Sequence, residues 1–183
     1  MQSVTFASTN QNKFYEVQKI LSLHGISTEF FQAELLEVQS DSLEQIAKQK
    51  ASDAFDKAHR PVIVEDDGLF IKSLKGFPGP YSSYIFKTLG NAGILKLLDS
   101  VPDRSAVFTS MMVFCDGKDL KVFEGAVSGR ISEQITEGGW GFDPVFIPDG
   151  ASKTFGQMSN KSDFSHRRKA LEKFAAWFNP DIL

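Results

Sequence analysis

Hydrophobic positions in the first half of the chain follow the period of a strand and the period of a helix in turn. Residues 4–7, V-T-F-A, predict a short buried strand, and the next segment has apolar residues on one helical face and a helix end at Gly25. Residues 27–33 predict a second strand. The spacing S-x-x-Q from Ser42 to Gln45 is that of a capping box, so it predicts a helix that continues to about Ala58.

Three further strands are predicted in the rest of the chain. Residues 61–64 are an apolar run that ends in the acidic sequence E-D-D-G, which predicts a short buried strand. Residues 105–115 and 120–131 predict long strands that a hairpin at 116–119 joins. Early alternation of strands and helices followed by a hairpin predicts an α/β fold with a mixed sheet.

Turn residues and aromatic residues mark the other segments. The turn G-F-P-G-P at 76–80 leads into an aromatic helix near 81–89. A Gly-rich aromatic loop occupies 138–144, and a last helix is predicted from about 163 to 178. No internal repeat, linker or low-complexity segment divides the chain, so its length of 183 residues predicts one domain, residues 1–183, that consists of two lobes.

Composition excludes several classes of function. Hydrophobic residues make up 42% of the chain, which is too many for a disordered protein. A net charge of −3 argues against a general nucleic-acid binder, but a small phosphorylated ligand needs only a local basic cluster. There is neither a signal-peptide pattern nor an apolar run of about 20 residues that could span a membrane. We therefore expect a cytoplasmic protein.

The single cysteine, Cys115, lies in an apolar run. One cysteine allows no disulfide within the chain, which fits a reducing compartment. A catalytic thiol is conceivable, but free cysteines usually pack as small buried hydrophobes, so we predict a packed strand residue.

The first strand leads into a helix through small hydrogen-bonding residues. Ser8, Thr9 and Asn10 precede the helix, and Lys13 lies one turn into it. The first amides of a helix have no partner within the helix and attract anions, so the segment is a candidate phosphate site. The alternative is an N-cap asparagine beside a solvated lysine. The glycines of a Walker loop are missing.

The acidic sequence Glu65-Asp66-Asp67 predicts a metal site. Adjacent carboxylates repel one another unless a cation or a proton relieves them, and hard oxygen ligands suit Mg²⁺. Alternation along the strand directs Glu65 and Asp67 to one side and Asp66 to the other, unless the turn at Gly68 brings them together. The alternative is a solvated acidic turn. Glu37, in the loop before the helix that Ser42 opens, could add a carboxylate or could be an ordinary surface residue.

Two basic residues lie on apolar helical stripes, where a charge is unexpected. Lys50 is bracketed by the apolar residues of its helix, and Arg167 shares a face with Leu171 and Phe174. Such a side chain either extends to solvent or meets an anion. His166, beside Arg167, is by itself more often structural than catalytic.

Trp140, Phe142 and Asp143 lie among glycines in the 138–144 loop. Aromatic faces stack on purine rings, and the glycines would let the backbone approach a base closely. The alternative is an aromatic plug of the core beneath a flexible loop.

The order of these motifs resembles the inosine triphosphate pyrophosphatase family, the Ham1/RdgB-like group that hydrolyses aberrant purine nucleoside triphosphates. The resemblance extends from Phe6 to Leu171. It is carried by S-T-N-x-x-K, E-D-D-G-L, G-F-P-G-P-Y-S, S-G-R-I, G-W-G-F-D-P-V-F and K-S-D-F-S-H-R in that order.

The resemblance implies a role for each matched residue. Asp66 would be the catalytic base, and Mg²⁺ would be held by Glu37, Glu65 and Asp66. Lys50 would contact phosphate. Asp67 stands where many members have Ser or Thr, so its role toward the substrate is open. The triphosphate would be held by Ser8, Thr9, Asn10, Gln11, Asn12 and Lys13, and the nucleobase by Trp140, Gly141, Phe142, Asp143, Lys161, His166 and Arg167.

The same resemblance implies an elongated mixed sheet with helices on both sides, two lobes beside a central cleft, and a homodimer. Its expected activity is conversion of ITP, dITP or XTP to the monophosphate and pyrophosphate. Donors from backbone amides, His166 or Arg167 would select the 6-keto group over the 6-amino group of ATP. Two alternatives remain open: a Maf-like pyrophosphatase for pyrimidine or modified nucleotides, and a non-catalytic nucleotide-binding module.

Overall fold

The structure is a computed structural model and describes residues 2–180. In these residues seven strands form one sheet in the order β2-β1-β3-β5-β6-β7, with β4 paired to β3. β1 is parallel to β2 and to β3, whereas the β3–β4 and β6–β7 pairs are antiparallel. The mixed α/β sheet predicted from the sequence is therefore confirmed. The strands are β1 Gln2–Ala7, β2 Ile26–Phe31, β3 Val62–Ile71, β4 Pro78–Gly79, β5 Ser105–Cys115, β6 Leu120–Ile131 and β7 Phe146–Pro148.

Five α-helices accompany the sheet in the described part of the chain. They are α1 Gln11–Ser22, α2 Leu43–Ala58, α3 Ser82–Thr88, α4 Gly90–Leu97 and α5 His166–Phe178. Short 3₁₀ turns lie at Lys72–Leu74, Asp143–Val145, Phe155–Gln157 and Lys161–Asp163. No helix in residues 2–180 combines the length and the apolar character needed to cross a membrane.

The chain divides into two compact units. Unit 1 comprises the residues up to Asp66, Ser110–Gly125 and the chain from His166 onward, and unit 2 comprises Asp67–Thr109 and Ala126–Ser165. The predicted single domain of residues 1–183 also includes residues 1 and 181–183, which lie outside the described residues.

The core of unit 1 explains which way the side chains of β3 point. Ile63 packs in a cluster with residues of α1 and α5, such as Val17 and Leu171. Val62 and Val64 pack in a second cluster with the alanine stripe of α2. Because successive residues of a strand point to opposite faces, the next residue in line with Ile63 is Glu65, and the next in line with Val64 is Asp66.

Side-chain caps begin both long helices of unit 1. The Asn10 carboxamide oxygen accepts from the backbone N–H groups of Asn12 and Lys13, at 3.0 and 3.3 Å. Ser42 accepts from the Gln45 N–H at 3.3 Å. The predicted capping box is only half formed, because the Gln45 side chain accepts from the Ser40 hydroxyl instead of the Ser42 N–H.

In unit 2 the core is an aromatic and aliphatic cluster that includes Phe142, Phe146 and Phe155. β4 approaches β3 so closely that a Cβ on Gly68 would lie 2.7 Å from the carbonyl oxygen of Gly79. Only glycine fits there, which explains the G that follows the three carboxylates. The turn predicted at 76–80 leads through β4 into α3, as expected.

Several elements differ from their predicted bounds. The strand predicted at residues 61–64 continues through the acidic residues to Ile71, so these residues do not follow a strand end. The last helix begins at His166, and residues 161–163 form a 3₁₀ turn ahead of it. β4, α4 and β7 were not predicted, and β4 lies within the predicted turn. Cys115 is buried at the end of β5, and its burial raises the pKa of the thiol, as expected for a packed strand residue.

Candidate active site

Strand β3 presents two adjacent carboxylates to opposite faces of unit 1. Glu65 meets side chains from α1 and α5, and Asp66 meets a side chain from α2. The alternation expected for a strand therefore holds through the acidic sequence. The two carboxylates consequently lie in different surroundings.

Glu65 is the centre of a buried charged network. The Arg167 Nε donates to both oxygens of the Glu65 carboxylate, each at 2.9 Å, and the Ser110 hydroxyl donates to one of them at 2.6 Å. Arg167 also donates to the carboxylate of Glu16 on α1. The Lys13 ammonium lies 3.5 Å from Glu65. Since the side chains of Arg167 and Glu65 are 1% and 0% exposed, this is a paired charge in the interior, where an unpaired charge would be costly.

Asp66 belongs to a second, more accessible group. The Lys50 ammonium lies 3.6 Å from Asp66 and 2.8 Å from Glu37. Lys50 is only 11% exposed, whereas the Glu37 side chain is 65% exposed. One ammonium thus draws together a carboxylate from the sheet and a carboxylate from the irregular segment between β2 and α2.

These contacts test which acidic residues suit a divalent cation. Glu37 and Asp66 are the better fit, because both carboxylates lie around one point, the Lys50 ammonium, and are less buried than Glu65. Glu65 fits less well, because Arg167 and Ser110 bind both of its oxygens. Within residues 2–180 no group of three or more His, Cys, Asp or Glu side chains is close enough to hold a metal ion. Two carboxylates are nevertheless sufficient for Mg²⁺ where phosphates and waters complete the coordination.

The loop before α1 combines both interpretations that its sequence allowed. Asn10 is the N-cap of the helix, and its own N–H donates to the Ser8 hydroxyl at 3.0 Å. Lys13 is not a solvated residue, because its side chain is 13% exposed and extends to Glu65. Thr9, Gln11 and Asn12 are exposed at the start of the helix. Because Asn10 caps the Asn12 and Lys13 amides, the helix start presents exposed polar side chains rather than those two amides, and phosphate binding there stays a prediction.

A second group of predicted residues is assembled in unit 2. The Asp143 carboxylate accepts from the Lys161 ammonium at 2.7 Å and from the Trp140 N–H at 3.2 Å. The Lys161 ammonium also lies 5.3 Å from the centre of the Trp140 ring. Asp143 is buried and Trp140 is half-buried. The ion pair therefore fixes the aromatic loop, leaving part of the indole accessible.

The glycines of this loop differ in the space around them. A Cβ on Gly138 would lie 2.3 Å from the carbonyl oxygen of Gly156, so its absence permits the loop to pack on its own unit. Gly141, at φ +62°, has no atom within 4 Å of such a Cβ. Phe142 is buried in the core of unit 2. Phe142 thus fits the alternative of a core plug, whereas base binding by the loop stays a prediction.

The structure brings the predicted residues together in these groups. In unit 1, Lys13 and Arg167 contact Glu65, and Glu37 and Asp66 contact the Lys50 ammonium. Arg167 directs its Nε and a terminal nitrogen to carboxylates. His166 is buried at the first position of α5. Glu16 and Ser110 were missed. Glu16 lies three residues after Lys13 on a helix, which was a signal for a shared face, whereas nothing in the sequence distinguished Ser110.

Similarity to a protein family over the whole chain adds to the evidence from the fold, the buried Glu65–Arg167 pair and the Trp140–Asp143 loop. The model of the Ham1 family matches residues 4–177. The chain belongs to the Ham1 family. The resemblance recognised from six motifs in order is therefore confirmed over nearly the whole length of the chain.

Relatives and solved structures are similar to this chain over most of their lengths. A protein of Methanopyrus kandleri named dITP/XTP pyrophosphatase is 46% identical over an alignment of 183 positions that covers 98% of this chain and 97% of that protein. A protein of the same name from Saccharolobus solfataricus is 46% identical over an alignment of 171 positions that covers 92% of this chain and 89% of that protein. The structure of the Staphylococcus aureus Ham1 protein superposes with a TM-score of 0.83 at 28% identity, covering 98% of this chain and 100% of that one.

Proposed function

We propose that this protein hydrolyses non-standard purine nucleoside triphosphates, ITP, dITP and XTP, to the monophosphate and pyrophosphate. The observation that carries the proposal is the convergence of Asp66 and Glu37 on the Lys50 ammonium. It places the candidate proton acceptor, Asp66, near a second carboxylate with which it could bind a cation. The names of the relatives from Methanopyrus kandleri and Saccharolobus solfataricus support the substrate class.

Mg²⁺ is the proposed cofactor, held by Glu37 and Asp66 together with the phosphates of the substrate. When bound, it would neutralise charge on phosphate oxygens and lower the pKa of a coordinated water. Glu65, the third residue of the expected metal set, has a different proposed role. Its pairing with Arg167 and Lys13 supports a function in fixing β3 to α5 and to the start of α1.

The proposed reaction is an in-line displacement at the α-phosphorus. A water oxygen forms a bond to the α-phosphorus, and the bond from that phosphorus to the oxygen bridging the α- and β-phosphates breaks. Asp66 accepts a proton from the water, and the electron pair of the broken bond leaves with pyrophosphate. Lys50, beside Asp66, and Lys13, on the first turn of α1, would offset the negative charge on the phosphates.

Unit 2 supplies the proposed base-binding residues. The half-buried indole of Trp140 would stack on the purine. No atom lies within 4 Å of a Cβ built on Gly141, which leaves room for a base edge beside this residue. Arg167 is engaged by Glu65 and Glu16, and the Trp140 and Asp143 amides donate within the loop. The amides of Gly141 and Phe142 are therefore the stronger candidates for donors to the 6-keto oxygen. ATP would place a donor opposite those donors, which such sites reject strongly.

The active form is proposed to be a homodimer in the cytoplasm, as the family resemblance implies. Exposed apolar side chains on and beside α3, Tyr81, Tyr84 and Phe86, are available for a subunit contact. Light scattering coupled to gel filtration would measure the mass in solution, and a monomer at micromolar concentration would remove this part of the proposal.

The deciding experiment is pyrophosphate release from ITP, XTP, ATP, GTP and dTTP, with Mg²⁺ and with a chelator. Chelator-sensitive release from ITP and XTP, with little from ATP and GTP, is the expected result. Higher activity on dTTP would favour the Maf-like alternative. Turnover of none of the five, with binding of ITP retained, would favour a nucleotide-binding module.

A further inference from the structure

Glu37 lies on an irregular segment, residues 32–42, that two side chains of α2 hold in place. The Leu36 N–H, next to Glu37, donates to the Asp53 carboxylate at 2.8 Å. The Lys57 ammonium donates to the Glu34 carbonyl oxygen at 2.7 Å and to the same Asp53 oxygen at 2.7 Å. The backbone on the N-terminal side of Glu37 is therefore tied to the helix by a donor and an acceptor.

Helix α2 also carries Lys50, the partner of Glu37. Lys50, Asp53 and Lys57 are three and then four residues apart, so they lie on one face of the helix. The same helical face thus presents the cation that Glu37 contacts and the two side chains that hold its backbone. From this arrangement we propose that Asp53 and Lys57 are positioning residues that fix Glu37 for binding a divalent cation.

The backbone contacts distinguish this ion pair from an ordinary surface pair. An exposed Lys–Asp pair four residues apart on a helix contributes little to stability. Asp53 and Lys57 additionally bond groups that are 17 and 23 residues away in the sequence, in a segment without regular secondary structure. The hydrogen bond from Lys57, followed by that from the Leu36 amide, lowers the pKa of Asp53, so the anchor is charged at neutral pH.

α2 contains a matched control. Glu44 and Lys48 form another ion pair four residues apart, at 2.5 Å, near the start of the helix. Removing this pair changes the same types of charge on the same helix. Asp53→Ala and Lys57→Met can therefore be compared with Glu44→Ala and Lys48→Met.

Two readouts test the inference, which rests on the proposed function for its link to metal-dependent turnover. In steady-state assays with ITP, Asp53→Ala and Lys57→Met should raise the Mg²⁺ concentration for half-maximal rate by about 5- to 10-fold, with kcat at saturating Mg²⁺ within about 2-fold of the wild type. Glu44→Ala and Lys48→Met should leave both values unchanged. Loss of stability alone would not produce this separation.

The second readout needs no turnover. Binding of Mn²⁺ together with an ITP analogue that has a non-hydrolysable α–β bridge, measured from the electron paramagnetic resonance of the free ion and corrected for Mn²⁺ bound by the analogue by itself, should weaken in Asp53→Ala as it should in Glu37→Gln. Hydrogen exchange in residues 33–38 should accelerate. Equal Mn²⁺ affinity in the wild type, Asp53→Ala and Glu37→Gln would overturn the inference, as would unchanged exchange. A wild type that binds Mn²⁺ but does not hydrolyse ITP would refute the proposed function while leaving this test decisive.

Discussion

Arg167 on α5 donates its Nε to both carboxylate oxygens of Glu65 on β3, at 2.9 Å each, and both side chains are withdrawn from solvent. The two residues are 102 positions apart, so the pair joins the end of the chain to the middle of the sheet. It also determines what each residue can do. Because its guanidinium donates to carboxylates, Arg167 is poorly suited to recognise a nucleobase. Because its carboxylate accepts from that guanidinium, Glu65 is poorly suited to bind a metal ion.

Glu65→Gln should lower the free energy of unfolding by about 3 kcal/mol, because it removes one partner of a buried ion pair and leaves the other charge in the interior. Urea unfolding followed by circular dichroism measures this change. Glu172→Gln is the matched control on α5, since the exposed Glu172 pairs with Arg168 at 2.6 Å. It should cost less than about 1 kcal/mol. Equal losses in the two variants would mean that Glu65 and Arg167 do not stabilise the fold specifically.

Local sequence patterns were sufficient for much of the fold. The alternation in 105–115 and 120–131 and the turn between them predicted β5 and β6 with their observed bounds. Ser42 marked the start of α2, because an N-cap hydroxyl leaves a recognisable signal at a helix start.

Long-range pairing explains what those patterns did not predict. Three successive carboxylates suggested that β3 ends at residue 64, yet the strand continues because Arg167 and Lys50 neutralise Glu65 and Asp66 from distant parts of the chain. The sequence close to residue 65 does not show which distant residues will pair with its carboxylates. The position of Arg167 on an apolar stripe left two possibilities, extension to solvent or contact with an anion. The observed contact is with an anion, and that anion is a side chain of the protein itself.

The carboxyl of Asp103 provides a prediction about pH. Hydrogen bonds from the hydroxyl and N–H of Ser105, and then from Lys72, lower the pKa of Asp103 to about 2. A carboxyl whose pKa is lower in the folded state stabilises the fold above its unfolded pKa, about 3.9, and this contribution is lost as the pH falls through the folded value. The stability difference between the wild type and Asp103→Asn should therefore shrink between about pH 4 and pH 2. Titration of the Asp103 carboxyl carbon by NMR would contradict this if its midpoint lay near 4.

Trp140 should contribute to binding of the base rather than to the chemical step. Trp140→Leu is expected to raise the KM for ITP by about 10-fold or more, because stacking of a base on an aromatic ring contributes roughly 1–3 kcal/mol, while kcat stays within a few-fold. Trp177→Leu is the control, since Trp177 packs on Phe114 and Phe123 in unit 1. That variant should lose stability and keep its KM. If the two variants changed KM to the same extent, Trp140 would have no special role toward the base.

Asp66 is the proposed proton acceptor, and its neighbour in sequence provides an internal comparison. Asp66→Asn should reduce kcat for ITP by about 10²–10⁴-fold, the usual contribution of general acid–base catalysis. The loss of stability should be smaller than in Glu65→Gln, because Lys50 keeps Glu37 as a partner at 2.8 Å. Asp67→Asn removes the next carboxylate, which alternation directs to the opposite side of β3. It should reduce kcat by less than about 10-fold.

Steady-state rates at saturating Mg²⁺, with urea unfolding of both variants, measure the contrast. Equal reductions would show that the proton acceptor is not Asp66 alone, and an unaffected Asp66→Asn would remove it from the mechanism.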